Sequence, residues 1–406
     1  MALTAPPVAL YIHIPFCVSL CPYCDFVVYA GAAVRGPKAR VDAFLGALST
    51  ELALRADALD GAFGRERPPL ETVYLGGGTP SLLPADAIAG LIDLVHARYG
   101  IVADAEITLE ANPGPDERGD ATALHAAGVT RLSLGAQSMS DADLRRLGRR
   151  HRVGDVGAAV AVARDAGIGS VSLDLLYDVP DVSLIDWIET LEAALALEPD
   201  HLSLYALTLD DPDAEGLTGP GGDHLPTTAG ARRWRAEARP QQDEDRAAAQ
   251  YHHAVHRLAE DGWRGYEISN WARPGHESRH NLVYWERRPY EAVGPGAHAF
   301  DGATRRWNAA RLDGYLGALA PSDGGAASLP PGGAETLDPA TEAAEAVILG
   351  LRTDRGVPLA AAHEPPLDDV FGWALAAELL DVTDDDRVVL TTRGRLLSNE
   401  VFSRLV

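Results

Sequence analysis

Short apolar segments and longer amphipathic segments alternate along the first half of this 406-residue chain. The apolar segments, which predict β-strands, are Ala9–Ile14, Thr72–Leu75, Glu106–Ala111, Arg131–Leu134, Ser170–Leu176 and His201–Ala206. The amphipathic segments, which predict helices, are Ala39–Leu59, Pro84–Tyr99, Asp116–Ala127, Asp141–Leu147, Val153–Ala166 and Leu184–Leu197. Strict alternation of strand and helix predicts right-handed crossovers and a parallel sheet, in an α/β fold. Six such units fall short of a complete barrel of eight.

The rest of the chain changes in composition several times. Residues 210–246 are rich in glycine, proline and charge and lack an apolar period, which is typical of a flexible insertion. The last segment has three helical patterns and one short strand, Val388–Leu390, an order similar to a winged-helix module. The predicted units are a partial barrel (1–209), the insertion (210–246), a barrel extension (247–320), a linker (321–340) and a small helical domain (341–406).

Composition excludes several classes of protein. With 46% apolar residues the chain can bury a sizeable core, so it is not disordered. Its net charge of −24 argues against nucleic-acid binding and against electrostatic attachment to a membrane. We find neither an apolar segment long enough to span a bilayer nor a signal-peptide pattern. We therefore expect a cytoplasmic protein with no nucleic-acid partner and at most peripheral membrane contact.

All three cysteines of the chain stand together, as Cys17, Cys21 and Cys24. An odd number within eight residues is not a disulfide framework and indicates a reducing compartment. Thiolates are soft ligands that suit zinc or an iron–sulfur cluster. A structural zinc site needs a fourth ligand, which here would be His13 or Asp25. Three thiolates on a [4Fe–4S] cluster would instead leave one iron without a protein ligand, a reactive arrangement.

The residues around these cysteines resemble a known family. Tyr11-Ile-His-Ile-Pro-Phe-Cys17 and Cys24-Asp-Phe26 are similar to the radical S-adenosylmethionine (SAM) proteins of the HemN/HemW family. The resemblance extends from Leu10 to about Leu405, with gaps at the insertion and the linker. It implies that the amino and carboxylate groups of SAM bind the open iron. It also implies that an electron from the cluster, supplied by a donor such as ferredoxin or flavodoxin, cleaves SAM to a 5′-deoxyadenosyl radical.

The resemblance also assigns SAM-binding residues. Gly76-Gly77-Gly78-Thr79-Pro80 follows the second predicted strand and is similar to the family's glycine loop for the SAM amino group. Glu110 matches the carboxylate that binds the ribose hydroxyls, and Arg149 could pair with a carboxylate. The complete set implied is Tyr11, Tyr23, Gly77, Gly78, Thr79, Glu110, Gln137, Arg149, Asp174 and Ala206. Several of these stand at or near the carboxyl ends of predicted strands, which is where parallel barrels build their sites.

Two functions within this family compete. One is haem binding, with transfer of haem to respiratory proteins; the alternative is oxygen-independent coproporphyrinogen III oxidation. The oxidase has a further cysteine where this chain has Phe26, and a longer segment before its cluster. His280-Asn281-Leu282-Val283-Tyr284-Trp285 resembles the HNxxYW motif of the haem-binding members. An imidazole can ligate haem iron and aromatic rings can stack on a porphyrin. We therefore expect haem on His280, with His298 or the cysteine thiols as the next candidates.

One segment departs from the family. The family commonly has YGLPGQ after the fifth strand, whereas this chain has Tyr177-Asp-Val-Pro-Asp-Val182. Aspartate in place of two glycines constrains the turn and adds two charges near the expected SAM face. This change leaves the expected cluster unaffected but makes turnover of SAM less certain.

Overall fold

The computed structural model describes residues 3–34, 39–209, 212–320 and 325–406. Residues 210–211, at the start of the predicted insertion, and 321–324, at the start of the predicted linker, lie outside the described residues. In the described part, the strands form a large sheet of twelve and a small sheet of three.

Six parallel strands form the centre of the large sheet in the order of the chain. They are β1 (Ala9–Ile14), β2 (Leu70–Gly77), β3 (Ile101–Ala111), β4 (Arg131–Gln137), β5 (Ser170–Tyr177) and β6 (His201–Ala206). Each pairs in parallel with the next. The predicted α/β partial barrel is therefore confirmed, and its first and sixth strands have the predicted bounds.

Helices connect these strands and pack with them in one hydrophobic core. They are α1 (Val41–Phe63), α2 (Ala85–Tyr99), α3 (Ala121–Ala126), α4 (Asp141–Arg146), α5 (Val153–Asp165) and α6 (Leu184–Leu195). Local capping explains where several begin: the side chains of Ser140 and Ser183 accept hydrogen bonds from backbone N–H groups in the first turns of α4 and α6. The predicted start of the third helix at Asp116 is wrong, because Asp120 caps α3 instead.

The region predicted as a flexible insertion contains a helix. α7 (Ala229–Ala238) begins at Thr228, whose side chain accepts a hydrogen bond from the N–H of Ala231. It buries only Arg235 and Ala238, so the sequence shows no apolar period that would reveal it. α8 (Glu244–Glu260) follows and begins before the predicted start at Ala247.

Short strands extend the sheet at both ends. They are β7 (Arg264–Gly265), β8 (Asn270–Ala272), β9 (Tyr290–Val293), β10 (His298–Phe300), β11 (Thr304–Asn308) and β12 (Gly332–Thr336), with α9 (Arg279–Trp285) and α10 (Leu312–Leu319) between them. β9 pairs in parallel with β1, and β8 pairs antiparallel with β6. The buried carboxylate of Glu51 on α1 joins this region to the barrel, because it accepts hydrogen bonds from Gly294 N and Tyr315 Oη at 2.9 and 2.8 Å.

The last part of the chain has its own hydrophobic core. Its elements are α11 (Pro339–Leu351), β13 (Val357–Pro358), α12 (Asp368–Ala376), β14 (Leu380–Val382), β15 (Arg387–Leu390), α13 (Thr392–Leu396) and α14 (Ser398–Phe402). A three-stranded sheet joins the predicted helices, so this unit has more strand than its sequence pattern suggested. Of the helices in the described part of the chain, none combines the length and apolar character that crossing a membrane requires.

Candidate functional site

The three cysteines lie on the loop between β1 and α1. Backbone hydrogen bonds hold the base of this loop, since Cys17 N donates to Tyr29 O at 3.0 Å and Tyr29 N donates to Pro15 O at 2.6 Å. Cys24 N donates to Cys21 O at 3.2 Å, which closes a turn between those two thiols. All three side chains are partly buried and free of disulfides. All three thiols therefore lie on one loop at the carboxyl end of β1.

A continuous chain of hydrogen bonds connects two of these thiols through residues of the neighbouring strand ends. Thr79 Oγ1 donates to Cys17 Sγ at 3.5 Å, and Asn112 Nδ2 donates to Thr79 Oγ1 at 3.0 Å. Arg149 donates from Nη2 to Asn112 Oδ1 and from Nη1 to Cys21 Sγ, the latter at 3.3 Å. Arg149 is thereby fixed beside the thiols, with its Nε buried and without a hydrogen-bond partner among the described residues.

The chemistry of the thiols favours a bound cation. Burial raises the pKa of Cys17 to about 11, although the hydrogen bond from Thr79 lowers it, and burial also raises the pKa of Cys24. Burial thus favours the protonated form of these two thiols, and a bound metal cation would favour the thiolate form.

A single zinc ion fits the geometry poorly. Both ring nitrogens of His13 are already engaged, by Val27 O at 2.8 Å and by Tyr11 Oη at 3.0 Å. Within residues 3–34, 39–209, 212–320 and 325–406, no three His, Cys, Asp or Glu side chains are close enough together to hold one ion. A cluster suits the three cysteines better, because each thiolate would bind a different iron.

The glycine loop after β2 packs directly against the exit of β1. Gly78 N donates to Ile14 O at 2.8 Å, and Thr79 N donates to Phe16 O at 2.7 Å. Gly77 has a φ of +106°, and a Cβ there would lie 2.3 Å from the ring of His13. Only glycine fits at that position, so the loop brings backbone groups close to the cysteine loop.

Glu110 lies beside the glycine loop and is partly buried. Its carboxylate accepts hydrogen bonds from Gly77 N and Tyr74 Oη, both at 2.8 Å. Burial raises the pKa of Glu110 to about 7, against the lowering effect of these two donors, and the charge of Asp174 raises it further. Asp174 is also partly buried and accepts a hydrogen bond from Ser133 Oγ at 3.1 Å. The charge of Asp174 therefore acts on the ionisation of Glu110.

The other residues expected to bind SAM lie on the parallel strands and on the cysteine loop. Tyr11 lies on β1, 6.0 Å from the ring of Tyr74 between centroids. Tyr23 lies on the cysteine loop, and Ala206 ends β6. Gln137 ends β4 with a φ of +67° and lies close to Gly135, where a Cβ would be 2.9 Å from its Nε2. Gln137 and Ala206 therefore lie at the carboxyl ends of their strands, whereas Tyr11 and Asp174 lie within β1 and β5.

His280 lies elsewhere, in a packed junction. Its side chain is buried, at 1% exposure, and both ring nitrogens have partners. Nδ1 is 2.7 Å from Thr72 Oγ1, and Nε2 is 2.8 Å from Tyr284 Oη. Ligation of iron by His280 would require one of these hydrogen bonds to break. The prediction that His280 ligates haem remains a prediction.

A cavity of about 520 Å³ lies between the cysteine loop and the strands that extend the sheet. Phe26, two residues after Cys24, forms part of one wall, and Tyr284 and Trp285 of α9 form another. Arg287 and His298 also line it. Its volume falls within the roughly 300–1,000 Å³ of pockets that hold compact organic ligands.

Comparison with known proteins agrees with this arrangement. The model of the Radical SAM superfamily matches residues 11–194, and that of the HemN C-terminal domain matches residues 337–397. The heme chaperone HemW of Mycobacterium tuberculosis is 39% identical over 98% of this chain and 95% of its own length. The chain belongs to the HemW family of radical SAM proteins. Its relative from Bacillus subtilis, also a heme chaperone HemW, is 33% identical over 97% of both chains.

A solved structure supports the fold of this HemW family member. The coproporphyrinogen III oxidase HemN from Escherichia coli superposes with a TM-score of 0.77 over 99% of this chain and 90% of its own. Sequence identity in that comparison is 22%, so the likeness concerns the architecture alone.

Two residues beside the cysteine loop were missed in the sequence. Asn112 directly follows β3, and that position at a strand's carboxyl end was a signal that could have identified it. Arg235, on α7, donates hydrogen bonds to Pro22 O and Cys24 O at 3.1 and 2.9 Å. Nothing in its local sequence indicates this contact, because more than two hundred residues separate the partners.

Proposed function

We propose that this chain binds haem and transfers it to haem-accepting respiratory proteins, with a [4Fe–4S] cluster and SAM as cofactors. The observation that carries the proposal is its 39% identity to the heme chaperone HemW of M. tuberculosis across 98% of the chain. Similarity of this extent includes the cysteine loop, the glycine loop and the C-terminal unit together. A shared function follows more readily from such a match than from the fold alone.

Cys17, Cys21 and Cys24 would hold the cluster. Their soft donor atoms and the hydrogen bonds to Cys17 and Cys21 support this assignment. When bound and reduced by a donor such as ferredoxin or flavodoxin, the cluster supplies an electron to SAM. Arg149 contributes a fixed positive charge beside Cys21, which would stabilise the negative charge of a thiolate-bound cluster.

Residues of the parallel strands, the glycine loop and the cysteine loop would hold SAM. Glu110, oriented by Tyr74 and Gly77, is suited to accept hydrogen bonds from ribose hydroxyls. The backbone of Gly77, Gly78 and Thr79 would bind the amino group, and Arg149 the carboxylate. The remaining residues that we assign to this site are Tyr11, Tyr23, Gln137, Asp174 and Ala206.

Haem is the proposed cargo, and the cavity beside Phe26 is large and aromatic enough to hold part or all of a porphyrin. To test the function, we would load anaerobically purified protein with ferric haem and add it to respiratory membranes from haem-depleted cells. We expect faster recovery of oxidase activity than with the same concentration of free haem. Equal recovery with free haem, or no stoichiometric haem binding, would contradict the proposal.

A further inference from the structure

The cavity beside the cysteine loop contains a histidine with the surroundings of an iron ligand. His298, on β10, lines the cavity, and 46% of its side chain is exposed. Its Nε2 lies 2.8 Å from Asp223 Oδ2, and its ring stacks on Trp307 with 6.0 Å between centroids. Among the described residues, Nδ1 of His298 has no hydrogen-bond partner. It is therefore a ring nitrogen still available to a metal.

Asp223 is placed where it could orient His298 as an iron ligand. Histidines that bind metals usually donate their other ring N–H to a carboxylate, which fixes the tautomer and increases the basicity of the ligating nitrogen. The hydrogen bond from Nε2 to Asp223 leaves Nδ1 deprotonated, as iron binding requires. The second oxygen of Asp223 lies 3.0 Å from Nδ1 of His224, which anchors the carboxylate and also lines the cavity.

Two arginines in the cavity wall are candidate partners for carboxylates. Arg287 and Arg305 both line the cavity and both pair with Glu345. Arg287 Nη1 also lies 3.5 Å from Glu342 Oε1, and Arg305 Nη1 lies 3.9 Å from Glu335 Oε2. Arg287 Nη2 is buried and has no hydrogen-bond partner in the part of the chain that the structure describes. Nη2 of Arg287 is therefore a donor that a further anion can use, in spite of the carboxylates around it. A haem molecule carries two propionates that need such partners.

The HNxxYW motif contributes walls to this cavity. Tyr284 and Trp285 line it, whereas His280 is buried behind Tyr284 and bonded to its hydroxyl. The rings of Tyr284 and Tyr290 meet edge to face at 4.6 Å between centroids, and Tyr290 also lines the cavity. In this arrangement His280 holds an aromatic wall in position and leaves ligation to another residue.

We propose that haem binds in this cavity with His298 as its axial iron ligand, Asp223 orienting that ligand, and Arg287 and Arg305 binding the propionates. This inference rests on the proposed haem-binding function and adds the location of the haem and the identity of its ligand. The site adjoins the cysteine loop through Phe26, which would bring bound haem next to the proposed cluster.

The test is titration of ferric haem into anaerobically purified, cluster-loaded protein, so that the cysteine thiols are occupied. We expect His298→Ala to shift the Soret band and to weaken haem affinity at least tenfold, and imidazole in the buffer to restore the band position. Asp223→Asn, on a different segment, should weaken affinity by roughly tenfold while His298 is intact. Exposed His252→Ala is the matched control and should match the wild type.

Each outcome has a distinct meaning. Absence of stoichiometric haem binding by the wild type would overturn the proposed function and this inference with it. An unchanged Soret band and affinity in both His298→Ala and His298→Gln, with a wild type that binds haem, would overturn the inference alone. If His298→Ala fails to fold, His298→Gln and Asp223→Asn decide, and unchanged binding in both would assign the ligand elsewhere.

Discussion

Arg235 donates a hydrogen bond from Nη2 to the backbone carbonyl of Cys24, at 2.9 Å. The same guanidinium donates to Pro22 O at 3.1 Å and to Tyr23 O at 3.3 Å. Three consecutive carbonyl groups of the cysteine loop are therefore oriented by one buried side chain of α7. The region predicted to be a flexible insertion thus supports the geometry of the cysteine loop.

Arg235→Met should loosen the cysteine loop, because methionine fills similar space but donates no hydrogen bonds. A hydrogen bond from a charged donor contributes about 1.5–3 kcal/mol, so its loss exposes the loop to alternative conformations. We expect reconstituted protein to lose iron to a chelator at least tenfold faster than the wild type. Arg233→Met, an exposed neighbour on the same helix, is the control. Equal iron loss in both variants would show that Arg235 does not position the loop.

Local patterns predicted the barrel well because its strands and helices are defined by their own apolar periodicity. β1 and β6 have the predicted bounds, since apolar residues recur at every second position, at Leu10, Ile12 and Ile14 in β1 and at Leu202 and Leu204 in β6. The aspartates that replace the family's glycines after β5 have a left-handed backbone conformation, since Asp178 and Asp181 have φ values of +54° and +60°. Aspartate tolerates this left-handed conformation better than most residues.

Apolar periodicity could not predict contacts between segments that are distant in the sequence. β12, within the predicted linker, is an exposed edge strand of Gly332–Thr336 that depends on β11 for its hydrogen bonds. The pairs Arg235–Cys24 and Asp223–His298 join distant segments, and neither segment's sequence indicates that it contacts the other. In the candidate site, the strand-end residues were predictable from alternation and resemblance, whereas residues that support them from other segments were not.

His280→Ala should destabilise the protein while leaving haem ligation intact. The variant removes hydrogen bonds to Thr72 Oγ1 and Tyr284 Oη, and each buried partner left unsatisfied costs about 1–3 kcal/mol. Urea denaturation should therefore show a lower free energy of unfolding, and haem titration should show an unshifted Soret band. A shifted band with unchanged stability would establish His280 as the ligand, in agreement with the prediction from the HNxxYW motif.

The chain should lack coproporphyrinogen III oxidase activity. Phe26 stands where the oxidase has a further cysteine, and 61% of the Phe26 side chain is exposed. We expect reduced, cluster-loaded protein supplied with SAM and coproporphyrinogen III to form no protoporphyrinogen, as measured by fluorescence after oxidation. Multiple turnovers would instead support the alternative function in porphyrin synthesis.

Glu110→Gln should change how stability depends on pH. Burial raises the pKa of Glu110 to about 7, from an ordinary value of 4.5. Between these values the folded protein retains a proton that the unfolded chain has lost, so the stability of the wild type falls as pH rises through this window.

Glutamine does not ionise, so the stability of the variant does not fall in this way as pH rises. Relative to the wild type, Glu110→Gln should gain about 2–3 kcal/mol in free energy of unfolding between pH 5 and pH 8, at 1.36 kcal/mol for each unit of pKa shift. The measurement is urea denaturation of the cluster-free protein at both pH values, with exposed Glu66→Gln as the control that should follow the wild type. For each variant, the quantity compared is its difference from the wild type in free energy of unfolding. If this difference is the same at pH 5 and pH 8 for both variants, the carboxyl group of Glu110 does not titrate in this window. Its proposed role as an acceptor for ribose hydroxyls would then not be weakened by protonation near pH 7.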